Sequence, residues 1–424
     1  MHLHRCHRKT QKSVSARCRH QSIAEFFSAS LILMKVLVIS TRVPALNRKG
    51  DQLVAFHRIK YLRSLDIAIQ LVTFYNERSP DDLTAIDVLK NLGVICNCVP
   101  FSFPRAIISI FRASLTRGIP FQAAMFSSSK FRNHIEHAVR SFGPDVVYLI
   151  HLRSFENVKH MQIPLFVDFV DSMALNLHRK LEHSSFVKKI MIWIELKRIK
   201  SYESYVANYS SKSFVVSECD KNYIDSNNVY ILNNGVDFDT FTPISKNNEG
   251  APTIIFSGNM NYEPNIYAVR WFIVNCWSGL KSAIPNVRFI ICGNNPKGVF
   301  SKIAKKDCNV IVTGRVDSVA YHLASSWVAI APMQSGSGMQ NKILEAMSCE
   351  IPVVTTSLGK GSIMAINGNE IFIADSAHEF QKAIVDLLSD SNRRQRVGRS
   401  SREFVKNNHD WSKINEKFVN YLRM

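Results

Sequence analysis

The sequence predicts an α/β protein built from two doubly wound parallel sheets, and two observations lead to this class. Short apolar runs alternate with longer amphipathic stretches along the chain, a pattern typical of parallel strands joined by crossover helices. The chain has 424 residues, more than one hydrophobic core usually serves. We therefore expect two domains, each with its own sheet.

The apolar runs of the first half have the length of buried strands. They are Lys35–Thr41, Ile67–Tyr75, Val94–Pro100, Val146–Ile150, Leu165–Asp171, Ser213–Ser217 and Val229–Leu232. The second half contains further apolar runs of strand length, which are Thr253–Gly258, Arg288–Gly293, Asn309–Gly314, Val328–Pro332, Pro352–Thr356 and Glu370–Ala374. Each set is large enough for a separate sheet.

A polar stretch rich in turn-forming residues separates the two sets, running from Asn233 to Gly250. We therefore predict a first domain over residues 34–245 and a second over 246–407, with a final helix over 408–424 that packs back on the first domain. Residues 1–33 are polar and basic, and Met34 directly precedes the first strand. We expect 1–33 to be an upstream-start extension or a disordered tail, with a signal or transit peptide as the alternative.

The formal net charge is +19, which favours a polyanionic partner: anionic lipid, a phosphorylated substrate or nucleic acid. Charge alone does not choose between them. The longest nearly apolar stretch, Phe26 to Ile39, is shorter than the roughly 18 to 20 residues of a membrane span. Cys96 and Cys98 lack a matching second pair, so we expect no metal site.

The most informative segment runs from Ala331 to Thr356. A strand ends at Pro332, a loop of small residues follows, and a helix is predicted from about Gln340 to Ser348. The first turn of such a helix offers free N–H groups to a diphosphate. Lys342 would add a positive charge, and Glu345 would accept hydrogen bonds from a ribose. An ordinary strand–turn–helix with a solvated glutamate is the alternative.

Here the sequence resembles glycosyltransferase family 4. Lys342–Met347 followed by Ile351–Thr355 is similar to the signature helix and next strand of that family. Further matches carry the resemblance over nearly the whole chain: Asn47–Asp51, Ile231–Asp237, Phe256–Asn265, Ile290–Gly293 and Val312–Val316. The resemblance implies a GT-B fold, in which two Rossmann-like domains face each other across a cleft. It also implies a nucleotide-sugar donor, retention of the anomeric configuration and no metal.

By this resemblance Glu345 matches the second glutamate of the family's paired pattern, which binds the donor ribose. The first glutamate is replaced by Ser337, and the family's Arg and Lys after the first strand of the second domain are also missing. Lys342 and Arg315 are then the cationic candidates for the leaving diphosphate. The resemblance implies a donor site formed by Gly258, Asn259, Arg315, Val316, Ser337, Gly338, Gln340, Asn341, Lys342 and Glu345.

Candidate acceptor residues follow strands of the first domain, where the cleft is expected. The glycine loop supplies Lys49, Gly50 and Asp51. His151 follows one strand and is a candidate catalytic residue with Lys342 and Glu345, while a supporting or simply exposed histidine is the alternative. Asp171 ends another strand, and with Ser172 it equally fits a helix N-cap.

Two stretches, Phe101 to Phe126 and Phe186 to Lys200, mix bulky apolar with basic residues. They suit an anionic membrane surface, or a core-facing helix with a solvated basic side. We expect a cytoplasmic enzyme, peripheral on the inner face of the plasma membrane. It would move a sugar from a nucleotide donor to a glycan or lipid-linked acceptor in surface-polysaccharide assembly, without nucleic acid as a partner.

Two alternatives remain open: a nucleotide-sugar epimerase of the same fold, and a non-catalytic polyanion binder or scaffold. A nicotinamide-dependent oxidoreductase is disfavoured because no Gly-x-Gly-x-x-Gly follows the first strand, where Thr41 to Asn47 stands instead. A P-loop is also absent from the sequence, since the segment around Gly359 and Lys360 lacks the earlier glycine.

Overall fold

The computed structural model describes residues 34–46, 50–116, 118–182, 185–244, 250–294, 298–335 and 339–424. The predicted extension at 1–33 and the proposed domain boundary at 245 lie outside these residues. So do three of the predicted site residues, Lys49, Ser337 and Gly338.

The first sheet contains seven parallel strands in the order β3-β2-β1-β4-β5-β6-β7. Its strands are β1 Lys35–Ser40, β2 Ala68–Tyr75, β3 Ile95–Pro100, β4 Val146–Ile150, β5 Leu165–Val170, β6 Lys212–Val215 and β7 Val229–Ile231. The helices around it are α1 Gly50–Ser64, α2 Pro80–Asn91, α3 Phe103–Thr116, α4 Phe121–Met125, α5 Ser129–Phe142, α6 Met173–Glu182, α7 Phe186–Tyr209 and α8 Glu218–Tyr223, with a 3₁₀ turn at Leu152–Asn157.

The second sheet contains six parallel strands in the order β10-β9-β8-β11-β12-β13. Its strands are β8 Thr253–Ser257, β9 Arg288–Cys292, β10 Val310–Gly314, β11 Val328–Ala331, β12 Val353–Thr355 and β13 Phe372–Ile373. The helices are α9 Glu263–Phe272, α10 Ser278–Ala283, α11 Gly298–Lys306, α12 Val319–Ser325, α13 Asn341–Ser348, α14 Ser357–Lys360, α15 Ala377–Ser389, α16 Ser391–Asn408 and α17 Trp411–Arg423, with a π-helical turn at Ile273–Trp277.

Both faces of the first sheet are covered, as the nearly continuous apolar strands require. Leu37 and Ile39 of β1 point into one core, whereas Val36 and Val38 point into the core on the opposite face.

Local sequence sets the helix ends. Ser79 caps α2 through its side chain and Pro80 occupies the first turn. The predicted α/β class with two doubly wound sheets is confirmed, and the predicted strands agree with the observed ones within a few residues at each end.

The final helix, α17, returns to the first domain. Phe418, Val419 and Leu422 lie in the core formed by β1, β4 and α1. The ring of Phe418 lies 4.7 Å from that of Tyr148 and 5.5 Å from that of Phe214. The sequence places this helix in the same position.

In both sheets the strand order reverses beside the first strand, between β1 and β4 and between β8 and β11. Ligands of doubly wound sheets bind outside the carboxyl ends of the strands at this reversal. The loops after β1, β4, β5, β8 and β11 therefore define where the site should be sought.

Candidate active site

The predicted donor residues of the second domain come together around the amine of Lys342. Its Nζ donates to Asn265 Oδ1 over 2.6 Å and lies 4.2 Å from the centre of the Phe256 ring. A Cβ added to Gly258 would stand 3.2 Å from the same nitrogen, so the loop after β8 lies against it. Lys342 at the start of α13 is thereby held beside the end of β8.

Glu345 follows Lys342 by one helical turn, and both side chains are half-buried. Burial lowers the pKa of Lys342 to about 7, although the Glu345 carboxylate opposes this shift. Burial likewise raises the pKa of Glu345 to about 7, against the attraction of Lys342. Among the described residues no hydrogen bond reaches the Glu345 carboxylate. The pair therefore offers the Glu345 carboxylate as a hydrogen-bond acceptor and the Lys342 amine as a cation. The protonation of each group responds to what binds beside it.

Two further residues of the predicted donor site, Asn259 and Asn341, are held in place by hydrogen bonds. Asn259 O accepts from Asn265 Nδ2 over 2.9 Å, and its Oδ1 accepts from Asn261 N over 2.9 Å. Gln340 occupies the N-cap of α13 and is half-buried. Asn341 Oδ1 accepts from Asn234 Nδ2 over 3.0 Å, which joins this helix start to the segment linking the domains.

Arg315 and Val316 follow β10 but do not join the group around Lys342. The exposed Arg315 guanidinium lies 3.8 Å from Asp81 at the start of α2 in the first domain. Val316 packs on the core of the second domain. The structure therefore places Arg315 at a contact between the two domains, and its role toward the diphosphate stays a prediction.

On the first domain, His151 follows β4 in a left-handed conformation with φ of 68°. Its backbone N donates to Asp168 O over 2.7 Å, and its side chain is buried with no partner for Nδ1. Burial, with the charges of Arg153 and Arg42, holds the pKa of His151 well below its usual value. The imidazole is therefore neutral, and its Nδ1 is a buried atom without a hydrogen-bond partner in the described part of the chain.

Two arginines that the sequence analysis did not single out surround His151. Arg42 follows β1, and its Nε donates to Asp51 Oδ2 over 3.0 Å. Arg153 donates from Nε to Gln122 Oε1 over 2.8 Å, and burial together with the charge of Arg42 lowers its pKa. Their positions after parallel strands were the only sequence signal that pointed to them.

The structure describes three further predicted residues of the first domain, Gly50, Asp51 and Asp171, and their surroundings differ. Gly50 begins α1 with open space where a Cβ would stand. Asp51 is buried and engaged by Arg42. Asp171 lies one residue beyond β5, and burial raises its pKa to about 6. The N-cap of α6 is Ser172, whose Oγ accepts from Leu175 N over 3.1 Å, so of the pair Asp171 and Ser172 it is Ser172 that provides the predicted cap.

The cleft separates the residues around His151 in the first domain from those around Lys342 in the second, and charges on its two sides are close enough to influence each other. The charge of Asp171 in the first domain contributes to raising the pKa of Tyr262, which follows β8 in the second. In the described ranges, no three His, Cys, Asp or Glu side chains come together as metal ligands. Likewise, within those ranges no helix is long and apolar enough to cross a bilayer.

Two facing parallel-sheet α/β domains with polar residues at the opposed strand ends define the GT-B class. Comparison with known proteins agrees with this. Residues 251–390 match the family described as "Glycosyl transferases group 1". The chain is 21% identical over 399 residues to an uncharacterised 44.6 kDa protein of the cps region of Klebsiella pneumoniae, covering 90% of this chain and 98% of that one. It is also 29% identical over 109 residues to an uncharacterised glycosyltransferase of Methanocaldococcus jannaschii, covering 24% of this chain and 28% of that one.

Solved structures share the fold along most of the chain. Sucrose-phosphate synthase from Thermosynechococcus elongatus has a TM-score of 0.68 at 12% identity, over 92% of this chain and 98% of that one. Anabaena HepE in complex with UDP-glucose has a TM-score of 0.63 at 13% identity, over 92% and 99%. An S. aureus TarM mutant in complex with fondaparinux, α-GlcNAc-glycerol and UDP has a TM-score of 0.67 at 12% identity, over 92% and 100%. Together these findings support a GT-B glycosyltransferase.

Proposed function

We propose that the chain transfers a sugar from a nucleoside-diphosphate donor to a glycan or lipid-linked acceptor, with retention and without a metal, in cell-surface polysaccharide assembly. The observation that carries the proposal is the group of Lys342, Glu345, Asn265 and Gly258 at the opening of α13. It lies within the segment matched by the glycosyl transferases group 1 family. The cps-region relative supports the pathway, and the UDP-glucose complex of HepE supports the donor class.

In this proposal the donor ribose donates hydrogen bonds to the Glu345 carboxylate. The diphosphate lies against the Lys342 amine and the free N–H groups of the first turn of α13, which contains no acidic residue. A bound dianion favours the ammonium form of Lys342, so the cation is fully formed only when the donor is present. Gln340, the N-cap of α13, and Asn341, its first residue, border this position. Ser337 and Gly338 are assigned to it from the sequence alone.

The reaction breaks the bond between the anomeric carbon and the diphosphate oxygen, leaving positive charge on the sugar ring and negative charge on the diphosphate. The acceptor hydroxyl oxygen then bonds to the anomeric carbon, and its proton passes to the departing phosphate oxygen. Lys342 and the helix N-terminus stabilise the charge that develops on the leaving group. The neutral His151 accepts a hydrogen bond from a hydroxyl of the sugar or acceptor.

In this proposal Arg42, Arg153, Asp171, Gly50 and Asp51 form the acceptor side, and Lys49 is assigned to it from the sequence alone. Arg153 donates to the Gln122 amide oxygen, and the charge of Arg42 acts on it, so the two guanidinium groups together would attract an anionic group. We therefore propose an acceptor that carries a phosphate or carboxylate close to the hydroxyl that is glycosylated. We place the reaction in the cytoplasm, peripherally on the inner face of the plasma membrane.

The test is thermal stabilisation of the full chain by UDP, GDP, ADP, CMP, their sugar conjugates and NAD. We expect one nucleoside diphosphate and its sugar conjugate to stabilise the protein, and Glu345→Gln to abolish the effect. Glu136→Gln, at an exposed position of α5 in the first domain, is the matched control and should respond as wild type.

Product analysis separates the alternatives. Release of an epimerised donor or free sugar as the main product, with acceptor present, would support the epimerase and contradict the proposal. No stabilisation by any nucleotide, combined with steeply salt-dependent binding to DNA or RNA, would support a polyanion binder.

A further inference from the structure

The first three turns of α7 carry large apolar side chains that point into solvent. Phe186 is 79% exposed, Val187 70%, Met191 61% and Trp193 50%. Ile190 and Ile194 are exposed as well. We call these six residues the outer face of α7. Exposed apolar surface concentrated on one element marks an interaction site more often than scattered single residues do.

Helical geometry shows that this face lies opposite to the core. At 100° per residue, the six side chains of the outer face occupy one continuous side of the helix. The buried residues of the same helix occupy the opposite side: Glu195, Ile199, Tyr202, Glu203, Val206 and Ala207. An ordinary surface helix shows the reverse pattern, with polar residues outward. The outward apolar side of α7 therefore has a use other than folding.

Basic residues accompany the outer face. On the same 100° spacing, Lys197 projects from the outer face, and its amine lies 3.8 Å from the centre of the Trp193 ring. The exposed Lys189 borders the face, whereas the exposed Lys188 projects from the other side of the helix. From Phe186 to Lys200, Glu195 is the single acidic residue. Its Oε1 accepts from Phe121 N over 2.7 Å, so it is turned toward the protein. The surface presented outward is apolar and positively charged.

A second helix contributes nearby. Phe103, Ile107 and Ile108 of α3 are exposed, and α3 packs on α4. The short helix α4 also contacts α7, because its Phe121 N donates to Glu195 of α7. The next residue of α4, Gln122, accepts from Arg153 at the proposed acceptor side of the cleft. One short helix thus connects the outer face of α7 with the candidate active site.

We propose that the outer face of α7, with the exposed side chains of α3, docks on an anionic lipid bilayer. The apolar side chains enter the boundary of the acyl chains, and Lys189 and Lys197 lie at the level of the anionic headgroups. A second copy of the chain fits less well, because it would bring the same lysines and the same net charge of +19 together. The docked orientation brings the acceptor side of the cleft, through α4, toward the membrane surface.

Co-sedimentation of the full chain with lipid vesicles tests this proposal. We expect binding to vesicles that contain about one-third phosphatidylglycerol, and little binding to pure phosphatidylcholine, with the difference screened at high salt. The double variant Val187→Ser/Met191→Ser should bind at least about tenfold more weakly, because burial of apolar side chains is lost. Lys189→Gln/Lys197→Gln should lose the preference for anionic lipid.

The matched control is Val274→Ser/Met364→Ser on the second domain, where the two side chains are 77% and 78% exposed. This control should bind vesicles as wild type does. No binding of the wild type to anionic vesicles, or equal losses in the control and the α7 variant, would overturn the proposal. So would a concentration-dependent dimer in vesicle-free solution that Val187→Ser/Met191→Ser abolishes.

The inference relies on the proposed function only for the nature of the acceptor. Stabilisation by nucleotide should be unchanged in the α7 variants, since their substitutions lie outside the donor site. Loss of vesicle binding with intact nucleotide stabilisation would therefore support docking. Vesicle binding without any response to nucleotide would contradict the proposed function and leave the docking surface in place.

Discussion

At the scale of single residues, the pair Lys342 and Glu345 is the centre of the proposed donor site. Both groups have a pKa of about 7 because the cleft desolvates them. The sequence located these two residues through the motif around α13. It did not reveal that Asn265, 77 residues earlier in the chain, accepts from the Lys342 amine. That contact depends on the neighbouring positions of β8 and β11 in the sheet.

The pKa of Lys342 predicts how nucleotide binding responds to pH. A bound diphosphate raises this pKa, so binding takes up a proton when the free protein holds neutral lysine. Above pH 8 Glu345 is already ionised, and affinity for the diphosphate should fall by up to about tenfold per pH unit. Calorimetric titration at pH 8 and 9 checks this. Lys342→Arg should flatten the dependence, whereas a pH-independent wild type would contradict the assignment.

His151 offers a second prediction. Replacement by Ala should lower the rate of sugar transfer by about 100-fold, within the usual range for a positioned side chain that exchanges protons or hydrogen bonds. Nucleotide affinity should change little. The position has φ of 68° and ψ of 140°, a backbone conformation that His151 already adopts, so Ala removes the imidazole without a new demand on the backbone. An unchanged melting temperature of the variant is the control for folding. Transfer by the alanine variant at near wild-type rate would show that the imidazole has no part in the reaction.

At the scale of elements, α6 and the loop before it are held by one buried carboxylate. Glu203 of α7 accepts from Ser172 Oγ over 2.8 Å and from Met173 N over 2.6 Å. Burial raises its pKa to about 7, against these hydrogen bonds. The sequence did not predict this role, since Glu203 lies inside a long helix with nothing local to distinguish it. The apolar runs, in contrast, predicted nearly every strand, because a strand buried on both faces consists of consecutive apolar residues and is therefore visible in the local sequence.

A pH effect on stability follows from Glu203. Its pKa is higher in the folded than in the unfolded protein, so the folded state binds the proton more tightly between about pH 4.5 and 7. This residue therefore costs stability as the pH rises through that range. Glu203→Gln should remove this contribution, so that its melting temperature relative to wild type is higher at pH 8 than at pH 5.5. Glu203→Ala should destabilise at both, because backbone N–H groups lose their acceptor.

At the scale of the whole molecule, the second half of the chain completes the first domain. The core of that domain includes Phe418, which is fully buried against Tyr148 and Phe214. Arg58 of α1 donates to Asn415 Oδ1, and the Asn415 amide donates to His57 O over 3.1 Å. The sequence suggested that a terminal helix packs here, but not its partners, which lie more than two hundred residues away in the chain.

Removing this contact should destabilise the first domain. Phe418→Ala is expected to lower its unfolding free energy by about 3–5 kcal/mol, the usual cost of truncating a buried phenylalanine. Scanning calorimetry should show the first domain melting earlier, with the second less affected. Lys417→Ala, at the exposed neighbouring position, should melt as wild type. A uniform shift of both domains would instead indicate that they unfold as one unit.

The chain crosses between the domains twice, once near Val236 and once near Asp410, and the two crossings touch. Val236 N donates to His409 O over 2.8 Å, and a Cβ on Gly235 would stand only 2.6 Å from the Trp411 ring. The two connections between the domains are therefore joined to each other, and neither can be displaced without breaking this hydrogen bond or moving the other.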